Sequence, residues 1–479
     1  MFMERLTVNE KKVEQGLLQF IFPFAMKKES SHSLMSKLSN AGYTRFDLGN
    51  TELEDSFYGS HSISHRDMEH YFLPFITKFI FPKSEQDPGF QRFSKSLNVS
   101  AELKTHDVSV PFTLLSVDVT VCPFQLGLLT IRTKIRDGCT YSEALEFASR
   151  FRVLEDRTSR DKKCEILFGE KTYSQVDDFL FEAMVPEITP FFDYDVVSDS
   201  HFETLPYFVD ERIYVQGMFV LEEGAEIESA DLFRAGQLDG FGSDGQPKVG
   251  CSSRDYLERY VADQCYDRWA PGTFYVSDQH SFCCVTSEDR ETTNELVRQM
   301  YGEYYYGLLI NLFYKIVLLK FSNDYSRVKL EQEDEKIEDL IRAINHFTSK
   351  YYFIELAPQT QGREIFTQLR HVFGTRALYE DVKDNLASLF QFQDKFSSKR
   401  DSHLLTILTL YTVVGGIYGM NQVIEDLKGN IDWSKMSSYS LFQYIALFVT
   451  FTGLFVGGVM TVASLVKWYK EKQRQKKAV

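Results

Sequence analysis

The chain has 479 residues, of which 53 are basic and 68 acidic, so that its formal net charge at pH 7 is −15. This length exceeds that of one ordinary domain and predicts a chain of several parts. The acidic balance disfavours nonspecific binding of nucleic acid and concentrates cations around the molecule. The seven cysteines include no Cys-x-x-Cys pair, which predicts reduced thiols rather than a zinc or redox centre.

Residues 1–290 are predicted to form an α/β domain. The clearest sheet signal lies between Leu115 and Ile135, where apolar and polar side chains alternate on either side of a turn. A further strand is predicted from Arg212 to Leu221, and a helix with an apolar stripe from Tyr141 to Arg152. The N-terminus lacks the basic and apolar regions of a secretory signal, so we expect this domain in the cytoplasm.

Arginines interleave with aromatic residues after Gly250, a pattern that can hold a base by stacking and a phosphate by charge. The alternative is a helix with buried aromatic side chains and solvated arginines, and helical spacing explains most of the pattern. No Ser-His-Asp, Cys-His or paired-carboxylate pattern nominates a catalyst, so we predict no enzyme activity. The candidate ligand-binding residues of this region are Arg254, Arg259, Arg268 and Trp269.

Long helical patterns begin near residue 291. Residues 304–321 are apolar enough to resemble a membrane span, but Lys315 near the middle favours a buried helix, since a central lysine costs about 2.5 to 3.5 kcal/mol on insertion scales. From Thr375 onward apolar residues recur at helical spacing, with no proline or glycine before Gly415. We therefore predict a helical stalk over residues 291–400 that continues into the segment that follows.

The segment from His403 to Asn421 contains no Asp, Glu, Lys or Arg. As a helix it is long enough to cross the roughly 30 Å hydrocarbon core of a bilayer, and we predict a transmembrane helix over residues 401–421. Thr409, Thr412 and Gly416 fall on one face of that helix, at spacings of three and four residues. This face is predicted to line a pore or to contact another helix.

A second transmembrane helix is predicted over residues 441–466, which contain a Gly-x-x-x-Gly pattern for close helix packing. Residues 422–440 form the loop between the spans, and a basic tail occupies residues 467–479. Basic residues precede the first span and follow the second, so the positive-inside rule places both termini in the cytoplasm. In the external loop, Glu425 and Asp426 are candidates for attracting cations.

The tripeptide Gly419-Met420-Asn421, introduced by Gly-Ile-Tyr and followed by a short loop and a second span, resembles the signature of the CorA family of divalent-cation channels. The resemblance implies a homo-oligomer, a pentamer in that family, that forms one pore across the plasma (inner) membrane. The permeant ion would be Mg²⁺ or another divalent cation, selected by the tripeptide, with Asn421 contacting the hydrated ion. The pore-lining residues that it implies are Asp401, Leu405, Thr409, Thr412 and Gly416.

Two features depart from the family pattern. The family commonly has Met-Pro-Glu soon after the tripeptide, whereas this chain continues with Gln422 and a different loop. The proline and the large apolar gate residue of the first helix are also missing, which leaves Leu405 as the bulky apolar side chain on the pore face. Leu405 is therefore the candidate for a dewetting constriction, and the pore is expected to be less selective than in the family.

The large N-terminal region has a general similarity to divergent CorA-like proteins associated with type III CRISPR defence. Those resemble membrane effectors opened by a nucleotide second messenger, an adenylated S-adenosylmethionine. The similarity implies that residues 1–290 sense a nucleotide ligand and that the channel acts in antiviral defence without direct contact to nucleic acid. Two alternatives stay open: a constitutive transporter of Mg²⁺ or another divalent cation, and a membrane-anchored enzyme or scaffold.

The sequence as a whole thus predicts a CorA-like fold class, with an α/β cytoplasmic domain, a long helical stalk and two C-terminal transmembrane helices.

Overall fold

The computed structural model describes residues 8–48, 50, 56–68, 70, 73–106, 108–155, 163–194, 212–328, 334–421, 433–445, 447–448, 451–452, 455 and 459. The chain divides into two compact units, Met1–Leu386 and Ala387–Val479, called here the first unit and the second unit.

Mixed α/β structure fills the described part of the chain. Its strands are β1 (Lys12–Ala25), β2 (Thr44–Arg45), β3 (Gln91–Lys104), β4 (Ser109–Cys122), β5 (Leu126–Ile135), β6 (Cys139–Thr140), β7 (Glu165–Phe168), β8 (Lys171–Tyr173), β9 (Tyr214–Leu221), β10 (Cys265–Ala270), β11 (Thr273–Ser277) and β12 (Ser281–Thr286). Its α-helices are α1 (Ser31–Asn40), α2 (His65–Asp67), α3 (Thr77–Ile80), α4 (Tyr141–Phe151), α5 (Val176–Asp178), α6 (Ser229–Gln237), α7 (Arg254–Gln264), α8 (Arg290–Tyr301), α9 (Glu303–Arg327), α10 (Asp334–Lys350), α11 (Thr360–Phe373) and α12 (Thr375–Asn421). Short π- and 3-10 helices occupy Phe179–Met184, Thr189–Phe191 and Trp433–Ser438.

All the strands belong to one 12-stranded sheet in the order β10-β11-β12-β9-β1-β5-β4-β3-β7-β8, with β2 paired to β3 and β6 paired to β1. Among the described strands, only β9 and β12 run parallel to each other. The predicted alternating segment is the β4–β5 hairpin, in which Cys122 faces Leu126. Phe124 and Gln125 in its turn have φ angles of 64° and 54°, a backbone conformation that suits a tight connection between twisted strands.

Helices cover both faces of this sheet. On one face, α4 begins with a capping box between Thr140 and Glu143, and its apolar stripe packs on β1 and β4, where Phe147 lies against Phe20 and Phe112. On the other face, α9 contacts the sheet through Tyr305, whose hydroxyl lies 2.8 Å from that of Thr130 on β5. The sheet is therefore buried on both sides at its centre.

The apolar segment at residues 304–321 is the buried part of α9, as its central lysine predicts. The polar Asn311 in this helix donates a hydrogen bond from Nδ2 to the Gly307 carbonyl at 2.9 Å. Lys315 places its ammonium group 5.4 Å from the centre of the Phe373 ring. Both polar side chains thus have partners within the first unit.

Helices α8 to α11 belong to the same compact unit as the sheet. The sequence pattern instead predicts a domain boundary at residue 290 and a stalk over 291–400. The difference arises because α9 and α11 pack on each other and on the sheet, contacts between distant segments that helical periodicity does not reveal. Beyond Gly374, where φ is 63°, α12 extends for 47 residues from Thr375 to Asn421 and carries the chain into the second unit.

Candidate functional site

The segment of α12 that precedes the Gly-Met-Asn tripeptide exposes apolar side chains over nearly half of its circumference. Leu404, Leu405, Ile407 and Leu408 are 37%, 67%, 47% and 66% exposed. These four positions span roughly 160° of the helix circumference, because each residue turns the direction by about 100°. Several exposed large apolar side chains on neighbouring turns are unfavourable in water and are typical of a segment that lipid or other subunits cover.

The hydroxyl groups of the two threonines on the predicted pore face donate hydrogen bonds within their own helix. Thr409 Oγ1 donates to the Leu405 carbonyl at 2.7 Å, and Thr412 Oγ1 donates to the Leu408 carbonyl at 2.7 Å. Such bonds to the carbonyl four residues earlier allow a hydroxyl to lie in an apolar helix. Because the proton is already used, each hydroxyl offers oxygen lone pairs to its surroundings, and these accept hydrogen bonds from the water around a cation.

A polar contact joins the two hydrophobic segments of the second unit. The Tyr411 hydroxyl on α12 donates to Thr452 Oγ1 at 3.3 Å, and Thr452 donates in turn to the Phe448 carbonyl at 2.6 Å. Thr452 lies within the predicted second span, most of which is outside the described residues. The contact places the described part of that span beside α12 in the middle of the apolar segment.

Four of the predicted pore-lining residues lie on successive turns of α12, namely Leu405, Thr409, Thr412 and Gly416. The side chains of Asp401, Met420 and Asn421 lie outside the part of the chain that the structure describes, as do Glu425 and Asp426 of the predicted external loop. The backbone of Gly419 belongs to the last turn of α12.

No helix in the described part of the chain combines the length and the apolar character that crossing a bilayer requires.

The candidate ligand-binding arginines after Gly250 fall on two different elements. Arg254 and Arg259 are on α7, as the helical interpretation predicts, and the Arg254 side chain is 83% exposed. Arg268 and Trp269 are on β10, where they line a cavity of about 330 Å³ together with the first turn of α11. Arg268 already forms an ion pair with Glu364, in which Nη1 donates to both carboxylate oxygens, Oε1 at 2.8 Å and Oε2 at 3.0 Å. The structure therefore brings together only Arg268 and Trp269 of the four, and a carboxylate neutralises the arginine.

A buried ionic network, absent from the sequence-based expectations, lies between the sheet and α9. Asp118 Oδ2 on β4 contacts Arg132 Nη2 on β5 at 2.7 Å and Arg92 Nε on β3 at 2.8 Å. These three side chains are at most 3% exposed. Burial alone would raise the pKa of Asp118, but the two guanidinium groups hold it below its usual value, so the carboxylate stays ionised.

Tyrosines and amides complete the hydrogen bonds of this network. Arg92 donates to the hydroxyls of Tyr306 and Tyr58, at 2.7 and 2.9 Å. Arg132 donates to Gln19 Oε1 on β1 at 2.9 Å, and its guanidinium lies 5.2 Å from the Tyr305 ring centre. The network ties the four adjacent strands β1, β5, β4 and β3 to the start of α9. Loss of Asp118 would leave two buried guanidinium groups without their carboxylate.

Searches with protein-family models, among characterised proteins and among solved structures find no match to this chain.

Proposed function

We propose that this chain is one subunit of a homo-oligomeric membrane cation channel, with a pore lined by α12 and gated by the first unit. The observation that carries the proposal is the apolar and hydroxyl-bearing surface of α12 beyond residue 403. Beyond residue 403, large apolar side chains are exposed over nearly half of the helix circumference, and the hydroxyl oxygens of Thr409 and Thr412 offer lone pairs on the turns that lead to the Gly-Met-Asn tripeptide. A cation pathway needs both an apolar exterior and a line of acceptors.

Assembly follows from the size of the membrane part. Two hydrophobic helices from one chain cannot enclose a pore, so several copies must surround it, and a closed ring of identical subunits is the usual solution. The resemblance to the CorA family suggests a pentamer with a ring of Asn421 amides at its mouth. Such neutral oxygens accept hydrogen bonds from the water shell of Mg²⁺, which dehydrates reluctantly.

Gating by the first unit is supported by the continuity of α12. The helix begins at Thr375 and ends at the tripeptide, and only Gly374 separates it from α11, so that a shift of α11 would be transmitted to the pore lining through a one-residue connection. We propose a nucleotide second messenger of the adenylated S-adenosylmethionine type as the activating ligand, and antiviral defence as the role. Both come from the resemblance to CRISPR-associated CorA-like proteins.

Ion flux from proteoliposomes tests the proposal. Vesicles that contain the full chain and a trapped Mg²⁺ indicator are followed with and without the adenylated nucleotide. The proposal expects flux only when the nucleotide is present. Flux without ligand would instead support a constitutive divalent-cation transporter, and no flux under either condition would support a membrane-anchored enzyme or scaffold.

A further inference from the structure

An acidic cavity of about 520 Å³ lies between α2, α8 and the start of α9. Its volume falls in the usual range of small-molecule sites, about 300 to 1,000 Å³. The apolar side chains of Ile63 and Met68 form part of its wall. Among the described residues that line it, one is basic, Arg298, and four are acidic. The acidic ones are Asp67, Glu291, Glu295 and Glu303.

Glu303 differs from the other three carboxylates of the cavity because it is buried, with 7% of its surface exposed. Its Oε2 atom has no hydrogen-bond partner within the described part of the chain. Burial raises the pKa of Glu303 to about 8. Among the described residues no basic side chain pairs with this carboxyl group, although Glu303 is one of the residues that line the cavity.

A metal ion does not fit the cavity as well as an organic cation. In the described part of the chain, no group of three or more His, Cys, Asp and Glu side chains is close enough to hold a metal ion. Divalent cations require several oxygen ligands around one point. A protonated amine needs only one or two carboxylates, and an organic molecule can use the apolar wall and the remaining volume.

We propose that this cavity binds an organic cation that carries a protonated amine, with Glu303 as the counter-ion of the amine. The other three carboxylates attract the cation to the entrance, and Arg298 opposes it. Binding holds Glu303 in its ionised form and releases its proton to the solvent.

One residue of the cavity, Glu303, also contacts α11, the helix that precedes α12. Glu303 is the first residue of α9, and its Oε2 atom is 3.5 Å from the position that a Cβ atom on Gly362 of α11 would occupy. Ionising Glu303 therefore places a charge at the contact between α9 and α11, and α11 leads directly to α12. The binding site stands on its own, whereas its role in opening the pore rests on the proposed function.

Titration calorimetry of the full chain in lipid nanodiscs tests the site, with spermidine as the probe. Glu303→Gln keeps the size of the side chain and resembles its neutral form, so this variant should fold. It should weaken spermidine binding at least about tenfold, because it removes the buried counter-ion. Arg298→Ala should tighten binding, because it removes the opposing charge. The control Glu85→Gln, at an exposed position outside the cavity, should leave binding unchanged.

Several results would overturn the site: no spermidine binding to the unaltered chain, equal binding by Glu303→Gln, or equally strong binding of uncharged 1,8-octanediol. Mg²⁺ that binds alone with the same dependence on Glu303 would also overturn it, in favour of a metal site. Flux measurements then separate the two proposals. Spermidine binding that depends on Glu303 but leaves Mg²⁺ flux unaltered supports the site and contradicts its gating role, whereas absence of flux under every condition contradicts the channel itself.

Discussion

Leu308 and Leu309 on α9 are at most 1% exposed, whereas Leu404 and Leu405 on α12 are 37% and 67% exposed. The two helices have similar leucine-rich sequences, but α9 lies under the sheet of the first unit, whereas no described residues cover these leucines of α12. The first unit buries its leucines in its own core, and the described part of the second unit leaves its leucines exposed.

The two units also treat polar groups differently. In the first unit, one group of charged side chains is buried and paired, as Asp118 is with Arg92 and Arg132. In the apolar segment of α12, the polar groups are hydroxyls that bond to their own helix, as Thr409 does. The first arrangement makes a rigid folded body, and the second is typical of helices in lipid, where each polar group must find its partner nearby.

The largest effect is expected at the ionic network of the first unit. Asp118→Ala removes the carboxylate between two buried arginines and should lower the free energy of unfolding by about 3 to 5 kcal/mol. Urea unfolding of the detergent-solubilised chain, followed by tryptophan fluorescence, measures this loss. Asp137→Ala is the control, because its ion pair with Lys134 is exposed and should contribute less than about 1 kcal/mol. Equal losses in the two variants would contradict the buried pairing.

The second effect concerns the pH dependence of stability at Glu303. Its folded pKa of about 8 lies above the ordinary 4.5, so the folded state holds a proton that the unfolded state releases. The protonated Glu303 contributes to the free energy of unfolding in full below pH 4.5. This stabilisation is lost as the pH rises to 8, at a slope of up to about 1.4 kcal/mol per pH unit. Among the described residues, Tyr304 and Tyr275 interact with the Glu303 carboxyl group, and the charged residues that line the same cavity are Asp67, Glu291, Glu295 and Arg298.

Unfolding measured between pH 5 and pH 8 in the absence of any amine should show this slope in the unaltered chain. Glu303→Gln should flatten it, while Glu85→Gln should leave it in place. A slope that Glu303→Gln does not alter would show that the side chain is ionised throughout.

The third effect contrasts two apolar positions on α12. Leu405→Ser should widen the proposed constriction and raise ion flux without ligand by about tenfold, equivalent to a barrier lower by about 1.4 kcal/mol. Ile407→Ser is the control, since a residue two positions away faces the opposite side of the helix. Vesicle flux measures both variants. A larger leak from Ile407→Ser than from Leu405→Ser would mean that the pore face has been assigned to the wrong side.

The smallest effect is expected at the threonine acceptors. Thr409→Val keeps the shape of the side chain and removes one acceptor per subunit, which should lower conductance about two- to fivefold, in line with a hydrogen bond of 0.5 to 1 kcal/mol. Thr452→Val is the matched control, because that hydroxyl faces Tyr411 rather than the proposed pore. Single-channel recording in planar bilayers gives the conductance. A lower conductance in Thr452→Val alone would contradict the assignment of the pore face.

The sequence predicts the β4–β5 hairpin and helix α4 well, because their apolar periodicity and turn residues are local signals. It does not predict that the polar side of β4 is buried. Alternation such as that of Val117, Asp118 and Val119 is typical of a strand with one solvent-exposed face, yet here α9 covers that face. The partners of Asp118 come from separate strands, and only the sheet order, set by contacts between distant segments, brings them together.

The candidate sites divide in the same way. The tripeptide and the threonine spacing are visible in sequence because both lie on one helix. The cavity at Glu303 is not, since an acidic residue in the first turn of a helix is ordinary and favourable there. Glu303 is buried beside a cavity because α2, α8 and α11 pack near it, and these helices come from segments that are far apart in the sequence.

The central claim, that the end of α12 forms an ion-selective pore mouth, is tested most directly by Asn421→Ala in proteoliposomes. Flux of Mg²⁺ is compared with flux of Na⁺, and Asn385→Ala, earlier on the same helix, is the control. We predict that Asn421→Ala lowers the preference for Mg²⁺ by at least about tenfold, because each subunit loses an amide that accepts hydrogen bonds from the hydrated ion. Flux and ion preference unchanged from those of the unaltered chain would contradict the claim.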